Sequence, residues 1–278
     1  MNTKNKTWLI TGCSSGLGQA LAKEVLAQGN NAIVTARKEE DLQEFVKEYP
    51  QTAMVVPLDI TDNERIAVVV QEAEARFGKI DVLVNNAGYG YRAAVEEGDL
   101  SDVRLLFDTL FFGTVALIQA VLPGMRSRRS GSIFNVSSIG GRYAAPGSGY
   151  YSAAKFAIEG MSDALRKELA PLGIKVTVIE PGAFRTEFAG RSLTGTTNEI
   201  EDYSETVGPR RKQNDKTSGT QTGDPQKAAK VIISIQENEP VPFRLLLGTD
   251  AIEGVRKELV SQLAEMEDWQ GISASTDF

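Results

Sequence analysis

Seven short apolar runs recur along the chain, each followed by a longer segment of helical period, and this alternation is the tightest constraint on what the chain can fold into. The runs are TWLI (7–10), NAIVT (31–35), AMVVPL (53–58), DVLV (81–84), SIFNV (132–136), KVTVI (175–179) and FRLLL (243–247). Amphipathic stretches lie between them near 17–28, 39–48, 62–77, 99–125, 150–170 and 225–236, and a last one at 250–267 follows. A strand apolar on both faces has to be covered on both faces, and an intervening helix returns the chain so that successive strands run parallel. The pattern predicts an α/β fold: a doubly wound, seven-stranded parallel sheet with helices on both faces, in a single domain. No Pro/Gly/Ser linker divides 1–278. One stretch breaks the rhythm: 185–224 is polar and rich in Thr, Gly and charge, and reads as a lid, a binding loop or a disordered segment. The tail, 271–278, is expected to fray.

Composition narrows what such a fold is for. Hydrophobic residues make up 41%, enough for a substantial core. A net charge of −7 argues against general attraction to nucleic acid or an anionic membrane, and the basic cluster RSRRS (126–130) reads as an exposed helix end. On this reading no apolar stretch approaches the ~20 residues of a membrane span. The opening MNTKNKTWLITG lacks the apolar core of a signal peptide, so cytoplasmic residence is expected. The chain has no histidine, which removes Ser-His-Asp hydrolysis, Cys-His proteolysis and His-ligated metal sites. Its single cysteine, Cys13, excludes an intrachain disulfide and a Cys-cluster zinc site, so no metal is expected. Chemistry is left to Tyr, Lys, Ser, Asp, Glu or a cofactor.

Thr11-Gly12-Cys13-Ser14-Ser15-Gly16-Leu17-Gly18 follows the first strand and opens the first helix. Small residues there let backbone N–H groups close on a pyrophosphate, and a helix N-terminus favours the anion. A tight strand–helix turn would use the same residues, and it is the position after strand one of an alternating chain that points to a dinucleotide. The second strand ends Thr35-Ala36-Arg37-Lys38. An acid at such a strand end accepts hydrogen bonds from a ribose with a free 2′-hydroxyl, whereas Ala36 followed by two cations suits a 2′-phosphate. The Arg-Lys pair is plausible as the start of a surface helix, but with the acid missing it favours NADP(H) over NAD(H).

Tyr151 and Lys155 stand at i and i+4 in GYYSAAKFAIEG, on one face of the predicted 150–170 helix. A phenol with a pKa of roughly 10 is a poor acid/base at neutral pH, and a cation beside it is expected to lower that value. Ser137 and Ser138 close the SIFNV strand upstream. Aromatic–Lys pairs at this spacing are common on solvated helix faces, so the pair needs the rest of the chain behind it.

These segments together resemble the short-chain dehydrogenase/reductase family over most of the chain's length. TGCSSGLG is similar to its cofactor loop, and Asn85-Asn86-Ala87-Gly88 to its NNAG motif after the fourth strand. SIFNVSS followed by YYSAAK resembles its serine strand and YxxxK helix, and EPGAFRT (180–186) resembles its PG-x-x-x-T segment. The overall wording is similar to a bacterial, hydroxysteroid-dehydrogenase-like branch. The resemblance implies a Rossmann-like fold and an NADP(H)-dependent oxidoreductase that interconverts a ketone or aldehyde and its alcohol by hydride transfer. It further implies a small-molecule substrate and a homo-oligomer, dimer or tetramer, formed through the helices at 99–125 and 150–170.

The resemblance also implies roles. Tyr151 is the general acid/base, Lys155 holds the nicotinamide ribose and lowers the phenol pKa, and Ser138 rather than Ser137 bonds the substrate oxygen. Tyr150 has no lysine four residues on and is left as a pocket or packing residue. Gly12, Ser14, Ser15, Gly16, Leu17 and Gly18 cradle the cofactor's phosphates, and Arg37 and Lys38 take its 2′-phosphate. Asp59 and Ile60 meet the adenine, although Asp59 is nearly as well explained as a turn or helix-cap partner. Asn86, Ala87 and Gly88 line the ribose region, while Asn85 secures their turn. Pro181, Gly182, Phe184 and Thr186 fix the nicotinamide, with Thr186 on the carboxamide. Phe184, Phe188, Tyr143, Tyr89 and Tyr91 are candidates for an aromatic pocket or, equally, for core. An epimerase or dehydratase acting on a nucleotide sugar would use a related Tyr/Lys site, but little chain remains beyond the last cofactor strands.

One position departs from the family pattern. LFDTLFFGTVALIQAVLPGM (106–125) resembles a helix that reads FDxNxxG, and Leu110 stands at the asparagine. That asparagine helps hold a water connecting the lysine to solvent, which leucine cannot bond. A slower enzyme, a relay through other groups, or an engineered or inactive variant would each fit. The alternative function is a low-turnover NADP(H)-binding regulatory protein. On the motif alone, Leu110→Asn is expected to raise turnover.

Overall fold

The protein is described here from a computed structural model that covers residues 5–278 apart from 191, 218, 238 and 239. All seven predicted strands form: β1 (Thr7–Ile10), β2 (Asn31–Ala36), β3 (Ala53–Pro57), β4 (Val82–Asn85), β6 (Gly131–Val136), β7 (Ile174–Pro181) and β9 (Arg244–Leu247). They lie in one sheet in the order β3-β2-β1-β4-β6-β7-β9, every adjacent pair parallel. The predicted helices are α1 (Gly16–Ala27), α2 (Gln43–Glu48), α3 (Asn63–Phe77), α4 (Leu100–Phe107), α5 (Gly113–Arg128), α6 (Gly149–Leu169), α8 (Pro225–Glu237) and α9 (Thr249–Ala274).

Period-two alternation in the strands builds two cores. Trp8 and Ile10 face α1 and α8, where Leu21, Val25, Ile232 and Ile233 close over them. Leu9 between them faces the other side, with Ile66 and Val70 of α3, Leu117 and Val121 of α5 and Leu165 of α6. The strand order reverses between β1 and β4, and in such a sheet the crevice beyond the strand C-termini at that point is where ligands bind. The ends of β1, β4, β6 and β7 carry the glycine turn, NNAG, the serine pair and the Pro-Gly segment there.

Three features differ from the sequence expectations. First, a helical run, Leu100–Arg128, is long and apolar enough by length and composition to cross a membrane, with a window of mean hydropathy 2.0, of which 39% is buried. This corrects the expectation that no apolar stretch approaches that length. The cause is end-to-end joining: α4 and α5 are linked by one π-type turn, Asp108–Phe112, in which the Gly113 N–H donates to the Asp108 carbonyl. One face of α5 is nonetheless a wall of the second core.

Second, 185–224 is not a bare loop, although its residues 191 and 218 lie outside those described. It contributes β8 (Leu193–Gly195), which pairs in parallel with β5 (Gly90–Arg92), and α7 (Gly208–Thr217). Phe184 and Gly223 bridge its two ends. Third, α9 continues to Ala274, beyond the expected end at 267, so the first residues of the expected frayed tail are helical.

Candidate active site

The glycine turn closes against β4. Gly12 has a φ of +71°, and a Cβ on Gly18 would lie 2.4 Å from both the Asn86 Nδ2 and the Gly12 carbonyl oxygen, so neither position accepts a side chain. Asn86 donates from Nδ2 to the carbonyls of Thr11 (2.8 Å) and Gly12 (3.2 Å). The backbone N–H groups of Asn86 and Ala87 both donate to the Thr11 hydroxyl at 3.0 Å. Asn86 and Ala87 thus staple the NNAG strand end to the loop, and the Asn86 amide is committed to that task. Asn85 bonds Asn135 (2.8 Å), which bonds Ser162 (2.9 Å), a buried relay joining β4, β6 and α6. Helix α1 begins at Gly16 with no acid in its first turn and no side-chain cap from Ser15, so its N-terminus suits a phosphate. Leu17 packs on the first core.

Arg37 and Lys38 are exposed at the end of β2 and line an open groove of about 750 Å³ with Glu39, Glu40, Asp41 and Pro57. Arg37 lies within electrostatic reach of Tyr89, beside the NNAG turn. Asp59 is a turn residue here, accepting from the Thr61 N–H (3.0 Å) and hydroxyl (2.8 Å), while Asp62 caps α3. The Ile60 side chain is buried in the second core, and its carbonyl abuts Gly113.

Ser138, Tyr151 and Lys155 are brought together at the end of β6. Ser138 caps the short turn after the strand, its hydroxyl accepting from the Gly140 N–H at 3.0 Å. A Cβ on Gly140 would lie 3.2 Å from the Tyr151 ring and 3.5 Å from the Ser138 Oγ, so this glycine marks where the two side chains approach. Lys155 is 6% exposed, and its Nζ donates to the Val136 carbonyl at 2.8 Å and sits 5.7 Å from the Tyr151 ring centroid. Tyr150 hydrogen-bonds the Val95 carbonyl (2.5 Å) and packs against Tyr91, away from the serine. Phe188 flanks the Tyr151 ring, centroids 5.7 Å apart. Tyr91 is buried, Phe184 packs on the first core, and Tyr143 lies against Gly254 of α9.

Burial pushes the Tyr151 phenol above its ordinary value; a hydrogen bond with Ser138 and the charge of Arg92 pull the other way. Burial also pushes Lys155 down to about 8, with Glu159 opposing. The groups that oppose burial at the phenol are the Ser138 hydroxyl and the Arg92 charge. The cation acting on Tyr151 is Arg92, a residue no motif singled out. Beneath the lysine, Arg244 pairs with Glu159 (3.0 Å) and Glu180 (3.4 Å), and Arg142 pairs with Glu180 (3.1 Å). Burial and then the Glu159 charge push Glu180 up to about 7 against both arginines.

Pro181 ends β7 opposite Leu247. The Ala183 N–H donates to the Asp250 carboxylate (2.7 Å), and a Cβ on Gly182 would lie 2.4 Å from that carboxylate, so α9 locks the Pro-Gly turn. Thr186 reaches the glycine loop: its Cβ would be 3.2 Å from a Cβ on Gly16. Leu110 is 2% exposed in an apolar cluster with Tyr91, Leu106, Tyr151 and Ala154, and its Cδ2 would lie 2.6 Å from a Cβ on Gly88. Its carbonyl accepts the Thr114 hydroxyl at 2.9 Å. Thr11, Asn135, Ser162, Asp250 and Arg92 were missed from sequence because each acts through a partner distant in the chain; Thr11 alone had a signal, as the first letter of the glycine turn.

Residues 6–196 match the family model described as short chain dehydrogenase. Oxidoreductase BOA17 of Botryotinia fuckeliana (strain B05.10) is 41% identical over 272 residues, 98% of this chain and 99% of that protein. A short-chain dehydrogenase from Streptomyces avermitilis, solved by crystallography, shares 44% identity and superimposes with a TM-score of 0.93 over 100% of both chains. The closed form of a serine dehydrogenase complexed with NADP+ is 27% identical, with a TM-score of 0.74 over 87% of this chain and 94% of that one.

Proposed function

The chain belongs to the short-chain dehydrogenase/reductase family, and from that premise we propose that it is an NADP(H)-dependent reductase of a ketone or aldehyde that uses Tyr151 as its general acid. The observation that carries the proposal is the convergence of Ser138, Tyr151 and Lys155 beside the glycine turn, with Thr186 leaning over that turn. When bound, the dinucleotide supplies the hydride. Gly12, Gly16 and Gly18 hold its phosphates at the start of α1, and Pro181, Gly182 and Thr186 its nicotinamide end. Ser138 orients the substrate oxygen by hydrogen bonding. Tyr151 is kept protonated by its own burial, the state a general acid needs, and passes its proton to that oxygen. Lys155 binds the nicotinamide ribose.

Preference for NADP(H) over NAD(H) rests on Ala36, which stands at the end of β2 in place of an acid, and on the two cations after it. The 185–224 segment acts as the substrate lid, seated through β8 on β5. Exposed Leu105 and Phe112 along 100–128 and exposed Phe156 on α6 support assembly of a homo-oligomer through those helices in the cytoplasm. The second reading, a low-turnover NADP(H)-binding regulatory protein, is favoured by Leu110, which offers the lysine's neighbourhood no polar side chain.

NADPH oxidation followed at 340 nm across a panel of ketones and aldehydes decides between the two. Turnover that drops by about 10²-fold or more in Tyr151→Phe, with NADPH affinity retained, is the expected result. Tight NADPH binding without turnover on any panel member would favour the regulatory reading. Turnover unchanged in Tyr151→Phe would remove the tyrosine from the mechanism.

A further inference from the structure

Arg92 lies within electrostatic reach of both Arg210 and the Tyr151 phenol, and neither guanidinium pairs with a carboxylate among the described residues. Arg92 ends β5, next to the lid strand β8, and its carbonyl accepts the Thr196 N–H at 3.2 Å. Its Nε and Nη1 are fully buried with no hydrogen-bond partner among the described residues, and the Nε of Arg210, on α7, is in the same condition. The charged groups acting on Arg92 are Arg210 and Tyr151, with no carboxylate among them. Burial, reinforced by the Arg210 charge, brings Arg92 down to about 10, showing how poorly its charge is compensated.

The neighbouring acids are engaged elsewhere. Glu97 takes the N–H groups of Ala94 (2.7 Å) and Ile200 (2.9 Å) and pairs with Arg211, which also pairs with Glu199. Glu96 accepts the Tyr203 hydroxyl at 2.6 Å. Adjacent arginines of α7 therefore differ: Arg211 has its carboxylates, and Arg210 has none among the described residues. Burying a guanidinium is costly unless it is paired, and placing a second cation against it raises the cost. An anion bound there would supply the charge these two guanidiniums lack among the described residues.

We propose that the substrate carries a carboxylate as well as its reacting carbonyl, and that Arg92, helped by Arg210, binds that carboxylate next to Tyr151. Resting on the reductase reading, this names its substrate class. The guanidinium fork matches a planar carboxylate through two parallel hydrogen bonds. Arg210 is only partly buried and shares its charge with solvent, so the pocket presents mainly the one desolvated cation of Arg92, suited to a singly charged group. Because Arg210 comes from α7 and Arg92 from the strand that seats β8, the anion would also bond the lid to the body.

The test titrates four probes calorimetrically into the NADP+-loaded enzyme: phenylglyoxylate, 4-oxo-4-phenylbutyrate and the methyl ester of each. At least one acid is expected to bind about tenfold or more tightly than its ester. In Arg92→Gln the preference should shrink below about threefold, with NADP+ affinity retained and an unfolding midpoint equal to or above that of the unaltered protein, since an uncompensated charge has been removed. No acid binding more tightly than its ester, or an undiminished preference in Arg92→Gln, overturns the proposal. A lower unfolding midpoint in Arg92→Gln would also overturn it, by making the arginine a structural partner. Reduction of the esters by NADPH, measured alongside, reports on the reductase reading separately. Anion preference without any turnover would remove that reading and leave the carboxylate site standing.

Discussion

Leu110→Asn restores the family's asparagine and puts a carboxamide where the chain has built an apolar contact. The side chain is 2% exposed, with Tyr91, Leu106, Tyr151 and Ala154 as cluster partners and the NNAG turn at its tip. Withdrawing a buried leucine costs roughly 2 kcal/mol in transfer free energy. An amide left without a partner adds roughly 1–3 kcal/mol. The sum, about 3–5 kcal/mol, is a large part of the ~5–15 kcal/mol that holds a domain folded. Urea unfolding should show a midpoint lower by about 1 M or more. Trp8, 1% exposed, reports the core by fluorescence, and far-UV circular dichroism checks that the transition is shared. Leu110→Met, which conserves volume, should lose less than about 1.5 kcal/mol. Turnover per folded molecule should fall as well, because Leu110 is part of the packing around Tyr151. Motif comparison alone expects the opposite. A Leu110→Asn protein as stable as Leu110→Met, with faster turnover, would refute the packing argument and restore the relay.

Lys155→Met should abolish turnover while raising stability at pH 7 by about 1–3 kcal/mol, read by urea unfolding across pH. The folded lysine titrates near 8 against 10.5 for the free group, so the unfolded chain holds more protons between those values. Stability of the unaltered protein therefore rises from pH 8 to 10.5, and the advantage of the methionine variant shrinks over the same window; a pH-independent difference would show that the lysine is not desolvated. Arg37→Ala should raise the Kd for NADPH roughly tenfold or more and that for NADH less than threefold, by fluorescence titration. Equal effects on both would detach Arg37 from the 2′-phosphate.

The sheet was legible because strand and helix periods are local. Each run such as NAIVT or KVTVI needs only its own apolar content and its flanking helices to announce a covered parallel strand. The glycine turn was legible for a related reason: the backbone there excludes Cβ atoms, and only glycine meets that demand. Ser138, Tyr151 and Lys155 were legible from motif spacing, and the fold brings them together. Less visible were elements held by distant partners. β8 is a strand only because β5 lies beside it, and the π-type turn at Asp108–Phe112 is what joins α4 and α5 into one helix of membrane-spanning length. α9 ran past its expected end because helical continuation does not require the strong amphipathic pattern that marks where it begins.

By itself, then, the amino-acid order determined the doubly wound sheet, the glycine turn after its first strand and the residues available for acid/base chemistry, since each is written within a few residues of chain. Tertiary structure alone decided their electrical character. Burial pushes the Tyr151 phenol up and Lys155 down, with Ser138 and Arg92 opposing at the one and Glu159 at the other. Glu159 and Glu180 are held by Arg142 and Arg244 from separate elements, and Arg92 feels the charge of Arg210 without a carboxylate partner among the described residues. Charge energies depend on distance and solvent exclusion in three dimensions, and neither quantity has a period that a sequence can display.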